Sequence, residues 1–505
     1  EIYTLSLHDA LPILAWWYNP AQQIARLLMM VRTVNLSYRN QRSLSLPGFM
    51  PGIGDIFGQR TGSVLSPGLD FAFGLTSDSY IEKAKENNWL LMSESVATPA
   101  AYSTSEDLQL RATLEPIRDL KIDLNASRTM SRAKSVQFMY QGSPTTLSGT
   151  FNMTTISFGS AFEGIGNANN GYKSKVFNKF LQLIPQYQAR LEERYTTAIS
   201  QRRQGGGTVN GVNAYSADVL IPAFLDAYTA GAGGSLDLFP SLSRLLPNWT
   251  LRYSGLSKIP WLAERFKSVN INHSYKSVYA MGSYASYSSW MEYMGLGFIT
   301  QTDGSLTPSS IYNISTVSIN ESFAPLLGID VTLQSGITAK LEYRTTRVLN
   351  LSMTSIQINE SRSKDWVIGL GYKISDFKLF NFNTSRKVKK TQRGKNAANN
   401  NTKNASTNNS TNSRKNGVNH DLNLRFDFSF RQQAAITRDI DSGISAASSG
   451  NSALKISFAA DYTLSRLLTL SAYYDRQTNT PLLSSSSYPT TTRDFGLALK
   501  FSLTR

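Results

Sequence analysis

The sequence predicts an all-β chain, an arc of a large antiparallel transmembrane β-barrel with helical and disordered insertions. Three observations predict it. Segment after segment alternates apolar and polar residues with a period of two, the pattern of a strand with one dry and one wet face. Several of these segments are about 9–11 residues long, enough to cross a bilayer at a tilt. Their polar faces carry full charges in mid-strand, and aromatics (Trp366, Tyr372, Tyr462, Tyr474, Phe495) collect near strand ends, as in the interfacial girdles of membrane barrels. A strand can sit in hydrocarbon only if its backbone groups are paired, because each orphan costs several kcal/mol, so such strands belong to a wall without free edges.

Composition narrows the function classes. The chain has 505 residues, 41% of them hydrophobic, and a net charge of +16. It has no uncharged apolar run of about 18–20 residues, so helical membrane spans are excluded while barrels are not. With no Cys there are no disulfides, thiolate nucleophiles or Cys-based metal sites. The three His (His8, His273, His420) lie far apart, which disfavours a His metal site or a Ser-His-Asp triad. No phosphate-loop, zinc-protease or nucleophile-elbow motif occurs. The expectation is a chain that is not an enzyme, with no catalytic, cofactor-binding or metal residues. His273 is expected to make one structural hydrogen bond.

Taken in order, residues 1–13 (EIYTLSLHDALPI) back-translate to a common sequencing-adapter oligonucleotide and are set aside as an artefact. This predicts that the chain is the C-terminal part of a longer protein. Residues 14–162 read as barrel strands and loops, with alternation over 108–114 and 120–126. Residues 163–245 read as a mostly helical insertion. Val176, Phe180, Leu183, Tyr187, Leu191, Tyr195 and Ile199 recur every three or four residues through 174–203, interrupted at Pro185, and 217–230 forms a second helix. The simpler reading is amphipathic helices packed on a sheet; the functional one is a lid, plug or docking arm of a pore.

Residues 246–382 return to strands, with alternation over 317–323, 327–333, 337–343 and 366–374. Residues 383–420 are basic, Asn-rich and low in complexity. Residues 377–420 hold ten Lys/Arg and no acid, so this loop supplies ten of the sixteen net positive charges. It lacks apolar residues to order it and reads as a disordered insertion. It also lacks aromatics between the basic residues, so no nucleic-acid partner is expected.

Residues 421–505 give the clearest strands. Phe426, Phe428 and Phe430 alternate with Arg425, Asp427, Ser429 and Arg431, and further strands follow at 454–464 and 468–474. The last strand sets Phe495, Leu497, Leu499, Phe501 and Leu503 against Gly496, Ala498 and Lys500. It has the alternation that barrel-assembly machinery reads, without the usual terminal aromatic. Arg425, Asp427, Arg431 and Lys500 are expected to line a lumen, and Phe426, Phe428 and Phe430 to face lipid. If the chain end faces the periplasm, the 465–467 turn and the 383–420 insertion do too, while the 432–453 and 475–492 loops are extracellular.

Several long segments carry a family resemblance: LPGFMPGIGDIFG (46–58), SADVLIPAFLDAYT (216–229), LPNWTLRYSGLSKIPWLAERFKSVNINHSYKSVYAMGSY (246–284), FAPLLGIDVTLQSGITAKLEY (323–343), DWVIGLGYKISDFKL (365–379) and SSSYPTTTRDFGLALKFSLTR (485–505). Together they resemble the C-terminal part of the SprA/Sov family, the very large outer-membrane proteins of Bacteroidota. The resemblance spans nearly all of 15–505, and the Asn-rich stretch departs from it. It implies a single-chain barrel that is the translocon of the type IX secretion system. Such a pore opens sideways and passes folded secreted cargo with C-terminal signals, gliding adhesins included. It implies as partners a PorV-type barrel, a periplasmic plug protein, the rest of the type IX machinery and outer-membrane lipid, with the helical insertions as candidate gates. The residues alone leave open a passive porin or small-solute receptor barrel, and a β-rich surface adhesin.

Overall fold

The computed structural model describes residues 29–52, 66–91, 98–137, 145–164, 166–231, 233–375, 377, 420–464, 467–483 and 488–501. Residues 1–13, the Asn-rich 383–419 and Leu503 lie outside them. The strands in chain order are β1 (Val31–Ser45), β2 (Ala100–Ile117), β3 (Leu120–Val136), β4 (Thr146–Thr154), β5 (Asn248–Tyr253), β6 (Phe266–Ser286), β7 (Trp290–Tyr293), β8 (Leu296–Thr300), β9 (Leu306–Pro308), β10 (Tyr312–Ile314), β11 (Thr316–Leu333), β12 (Ile337–Ser352), β13 (Gln357–Ile374), β14 (Leu422–Asp439), β15 (Ser445–Thr463), β16 (Leu468–Pro481) and β17 (Thr490–Phe501). Two long helices, α1 (Lys175–Gln204) and α2 (Ala217–Tyr228), lie between β4 and β5.

The architecture is all-β and antiparallel. One 14-stranded sheet runs β1-β2-β3-β4-β6-β11-β12-β13-β14-β15-β16-β17, with β5 and β10 paired beside that path and β7-β8-β9 forming a small separate sheet. Among the described residues neither β1 nor β17 has a partner on its outer side, so the wall is open at both ends.

The staves are longer than their alternation predicts. β13 and β14 each have 18 residues, and β15 has 19. The expected loops 432–453 and 475–492 therefore shrink to 440–444 and 482–489. In the upper halves the backbone ladder continues while the regular apolar alternation thins to single residues such as Ile358 and Ile436, so pairing outlasts the hydrophobic signal. Segments 317–323 and 327–333, read as two strands, form the single strand β11. Its register shifts against β12 between Phe323 and Leu327, around Pro325, which has no N–H for the ladder.

β4 and β5 form one stave cut in two. β4 pairs with β3 over Arg128–Ser135 and with β6 over Val278–Ala285. β5 continues along the same neighbours, on Leu120–Asn125 of β3 and Ile271–Tyr275 of β6. Residues 155–247 are thus spliced into mid-stave, wider than the expected 163–245. Side chains close the cut. The Ser277 N–H donates to Asn248 Oδ1 at 2.8 Å, and the Thr155 N–H donates to the Ser277 carbonyl at 3.1 Å. On the other flank the Ser127 N–H donates to Thr154 Oγ1 at 3.1 Å.

The spliced module holds the main hydrophobic core. α1 buries Phe177, Phe180, Ile184, Tyr187, Leu191, Tyr195 and Ala198, one stripe at helical spacing. It runs unbroken through Pro185, which was expected to interrupt it; tertiary burial overrides the missing hydrogen bond. α2 is buried nearly all round. Both pack on sheet residues Phe151, Met153, Tyr279, Met281, Val317, Ile319, Leu349, Leu351 and Ile358. A smaller cluster (Tyr80, Ile81, Ala84, Trp89, Leu90) covers Tyr102 and Val136 near β1–β3.

Candidate functional site: a two-faced wall and its clasped module

Registers sort every stave side chain to one of two faces. On one face an apolar belt crosses the whole sheet. It passes through Leu36 and Tyr38 on β1, Leu110 on β2, Leu124 on β3, Trp249 and Leu251 on β5, and Ile271 on β6. It continues through Ile329 on β11, Leu341 on β12, Ile368 and Leu370 on β13, Phe426 and Phe428 on β14, Ile456 and Phe458 on β15, Leu470 on β16, and Leu497 and Leu499 on β17. Each full-length stave gives four or five such positions. At about 3.3 Å per residue they cover about 30 Å of strand, or roughly 22 Å of height at a barrel tilt of about 40°. Its side chains are exposed or half-buried rather than packed into a core: Trp366 is 44% exposed and Phe458 42%, while Phe428 and Ile456 are half-buried. An exposed apolar surface this continuous far exceeds the patches of soluble monomers.

The opposite face is polar and carries the hollows. One of about 740 Å³ is lined by Arg252, Asn270, Asn272, Lys276, Asp330 and Lys340. A second, about 290 Å³, and a third, about 400 Å³, share Arg425 and Asp427. Charges of both signs pair along this face. Arg425 lies 3.2 Å from Asp427, Arg431 2.9 Å from Asp365, and Lys340 2.8 Å from Glu342. Lys500 shares the face, opposite Thr469 on β16. The structure therefore brings Arg425, Asp427 and Arg431 together along one strand and sets Lys500 at the sheet edge. Phe426, Phe428 and Phe430 lie on the belt, as do Phe495, Leu497, Leu499 and Phe501 on the edge strand; Leu503 lies outside the described residues.

The helical module sits on the belt face, above the belt. Ile358, Glu360 and Arg362 continue the register of Trp366 and Ile368 and are buried beneath it. A plug within the hollow-bearing face would need the module on the other side. The helices pack on the sheet, as the simpler reading expects, and they do so on the face opposite those hollows. The module's core residues are presented by the belt face, and its attachment follows from that.

Five buried charges fasten it. Arg347 on β12 lies 2.8 Å from Glu321 on β11, and its guanidinium donates to the Ser160 carbonyl and to Ser160 Oγ, both at 2.7 Å. Glu360 on β13 accepts from Arg362 Nε at 2.6 Å and from Arg438 Nε at 2.9 Å. Arg438, fully buried, donates to the Tyr172 carbonyl at 2.6 Å, and Arg362 donates to the Glu163 carbonyl. Ser157 Oγ and Tyr275 OH donate to Glu321 Oε1 at 2.7 and 2.9 Å. Three arginines thus hold backbone carbonyls of 160–172 and pair with two glutamates, the carbonyls stabilising the one positive charge left over.

The Glu163 carboxylate meanwhile accepts from Ser174 Oγ at 2.8 Å and from the Val176 N–H at 3.2 Å, at the start of α1. Within the module, Tyr187 OH donates to Asp226 at 2.8 Å, and burial first, then Asp226, pushes that phenol up. Asp218 accepts from the Ser310 N–H at 2.9 Å; burial pushes its carboxyl above the usual range against that hydrogen bond.

Sequence reasoning missed the clasp. Its signal was present: Glu360 and Arg362 occupy the same alternate positions as Trp366, Ile368 and Leu370. A charge there interrupts a dry face and calls for a buried partner. His273, on the belt face, pairs its Nδ1 with the Leu326 carbonyl at 2.7 Å, a hydrogen bond to the β11 bulge.

No protein family and no curated protein matches this chain. Among solved structures, an anion-selective porin from Comamonas acidovorans overlaps 75% of this chain and 82% of its own at 8% identity, with a TM-score of 0.11. A likeness of that size bears on neither fold nor function.

Proposed function

We propose that this chain forms part of the wall of an outer-membrane protein-conducting channel: the translocon of the type IX secretion system, of the SprA/Sov family, in a Gram-negative bacterium of the Bacteroidota. The observation that carries the membrane reading is the belt. An exposed apolar band of bilayer height on every stave, backed by a charged face with hollows, has its natural solvent in lipid on one side and water on the other. The open edges at β1 and β17 support a wall wider than these staves, because unpaired edges are not tolerated in hydrocarbon.

The translocon reading rests on the resemblance of the six long segments. A polar face of mixed, paired charge supports it further, since such a surface offers folded cargo neither an apolar patch nor one dominant sign. Arg425, Asp427, Arg431 and Lys500 then border the water-filled passage, with no catalytic chemistry required of them. A PorV-type barrel, a periplasmic plug protein and the type IX machinery are the partners, and secreted proteins with C-terminal signals, gliding adhesins among them, are the cargo.

The test is depletion of the full-length protein in its host. Cargo bearing the C-terminal signal should accumulate in the periplasm while the outer membrane stays intact. Normal cargo export with reduced uptake of small solutes would instead favour a passive porin. Recovery of the protein in the soluble fraction without detergent would sink the membrane reading altogether.

A further inference from the structure

On the last two staves the belt face reads upward as a graded series of cross-strand pairs: Leu470 with Leu499, Ala472 with Leu497, Tyr474 with Phe495, Arg476 with Arg493, and Thr478 with Thr491. Aliphatic pairs give way to an aromatic pair, then two arginines, then two hydroxyls. Like charges placed directly opposite destabilise an antiparallel pair. Nothing in the described part of the molecule relieves this one: neither arginine has an ion pair there, and the Arg476 Nε is buried with no hydrogen-bond partner. On β15 the residue beside Arg476 is Ile456, so no carboxylate comes from that neighbour. The next residues along, Asp475 and Asp494, point to the other face.

We propose that Arg476 and Arg493 form a clamp for the phosphate of an anionic membrane lipid at the upper border of the belt. The aromatic pair below is the last apolar pair on these two staves, and the arginines stand one step above it, where the apolar run gives way to polar residues. Two guanidiniums opposite one another present a fork of donors that a single phosphate satisfies bidentately, turning a repulsive pair into a bridged one. Arg493 shares the face of Phe495 and Leu497, so a headgroup reaches it from the bilayer side of the wall. The proposal rests on the outer-membrane reading, and its test separates the two.

The full-length protein is reconstituted into phosphatidylcholine vesicles, alone or doped with bis-phosphorylated lipid A or its dephosphorylated form. Flotation reports membrane insertion, and mass spectrometry after detergent exchange reports retained lipid. The wild type should float in all three vesicles and retain the phosphorylated lipid preferentially. The double substitution Arg476→Gln, Arg493→Gln should float equally and retain it about tenfold less, the effect of losing charged hydrogen bonds. Arg476→Glu, which replaces repulsion with an opposite-charge pair, should remove the lipid preference while leaving the terminal hairpin at least as resistant to protease in phosphatidylcholine alone. Inorganic phosphate displacing the lipid completely would mean a free-anion site and overturn the lipid assignment. Equal retention by wild type and double variant would overturn the clamp while leaving the membrane reading intact; failure of the wild type to float would remove both.

Discussion

At Ser277 a side chain repairs the sheet. The stave opposite has been cut, and Asn248 supplies the acceptor that the missing strand backbone would have given. Asn248→Ala leaves a buried N–H unpaired and should cost about 1–3 kcal/mol; amide exchange at Ser277 should quicken in the variant and nowhere in β13–β15. The clasp is costlier to disturb. Glu360→Gln leaves Arg362 and Arg438 buried around a neutral amide, so module docking should weaken by about 3–5 kcal/mol, read as faster proteolysis within 155–247. Asp218 carries a pH signature. Its folded carboxyl holds its proton to a higher pH than the unfolded one, so its contribution is full below the unfolded pKa and declines as pH rises through the folded value. Chemical denaturation of the module should show that decline above the ordinary carboxylate range, and Asp218→Asn should flatten it.

Among the elements, the long staves show what alternation can and cannot reveal. Lower halves such as 366–374 and 422–431 were legible because every second residue is large and apolar. Upper halves were not: Ser445–Gly450 and Thr478–Pro481 pair through the backbone ladder and a few hydroxyls, such as Thr478 with Thr491, and neither leaves a trace in hydropathy. β4 and β5 were unreadable as one stave because the module separates their two halves in sequence. The face of the helices was readable, but not the face of the sheet on which they land. That depends on which side of β4 the chain leaves, and this is set by long-range register. The belt itself makes a direct prediction. Phe428→Arg puts a guanidinium among Phe426, Ile456 and Ile368, and should cost about 2–4 kcal/mol if that level is the bilayer midplane. The check is the yield of assembled, heat-modifiable protein; unchanged yield would rule out lipid at this level.

For the whole molecule, orientation is the property from which the others follow. The strand ends Ile374, Leu422, Thr463, Leu468 and Phe501 all lie at one end of the sheet. If that end is periplasmic, a cysteine at position 405 (Ala405→Cys) should react with an impermeant maleimide in intact cells only after the outer membrane is permeabilised; labelling without permeabilisation would invert the topology. The clasped module then stands toward the opposite, extracellular end, on the belt face of the sheet. Among the described residues it leaves the polar face of this arc uncovered.

The cut stave also makes the molecule open to grafting. Residues 155 and 248 meet the same residue of the neighbouring strand, Ser277, so the ends of the excursion lie almost where a short turn would place them. The backbone of the wall meets across that gap, although Phe151, Tyr279, Ile319 and Leu349 and the buried charges of the clasp take their cover from the module. An engineer could shave the module off, seal the seam with a few residues, and ask whether the staves still assemble without it.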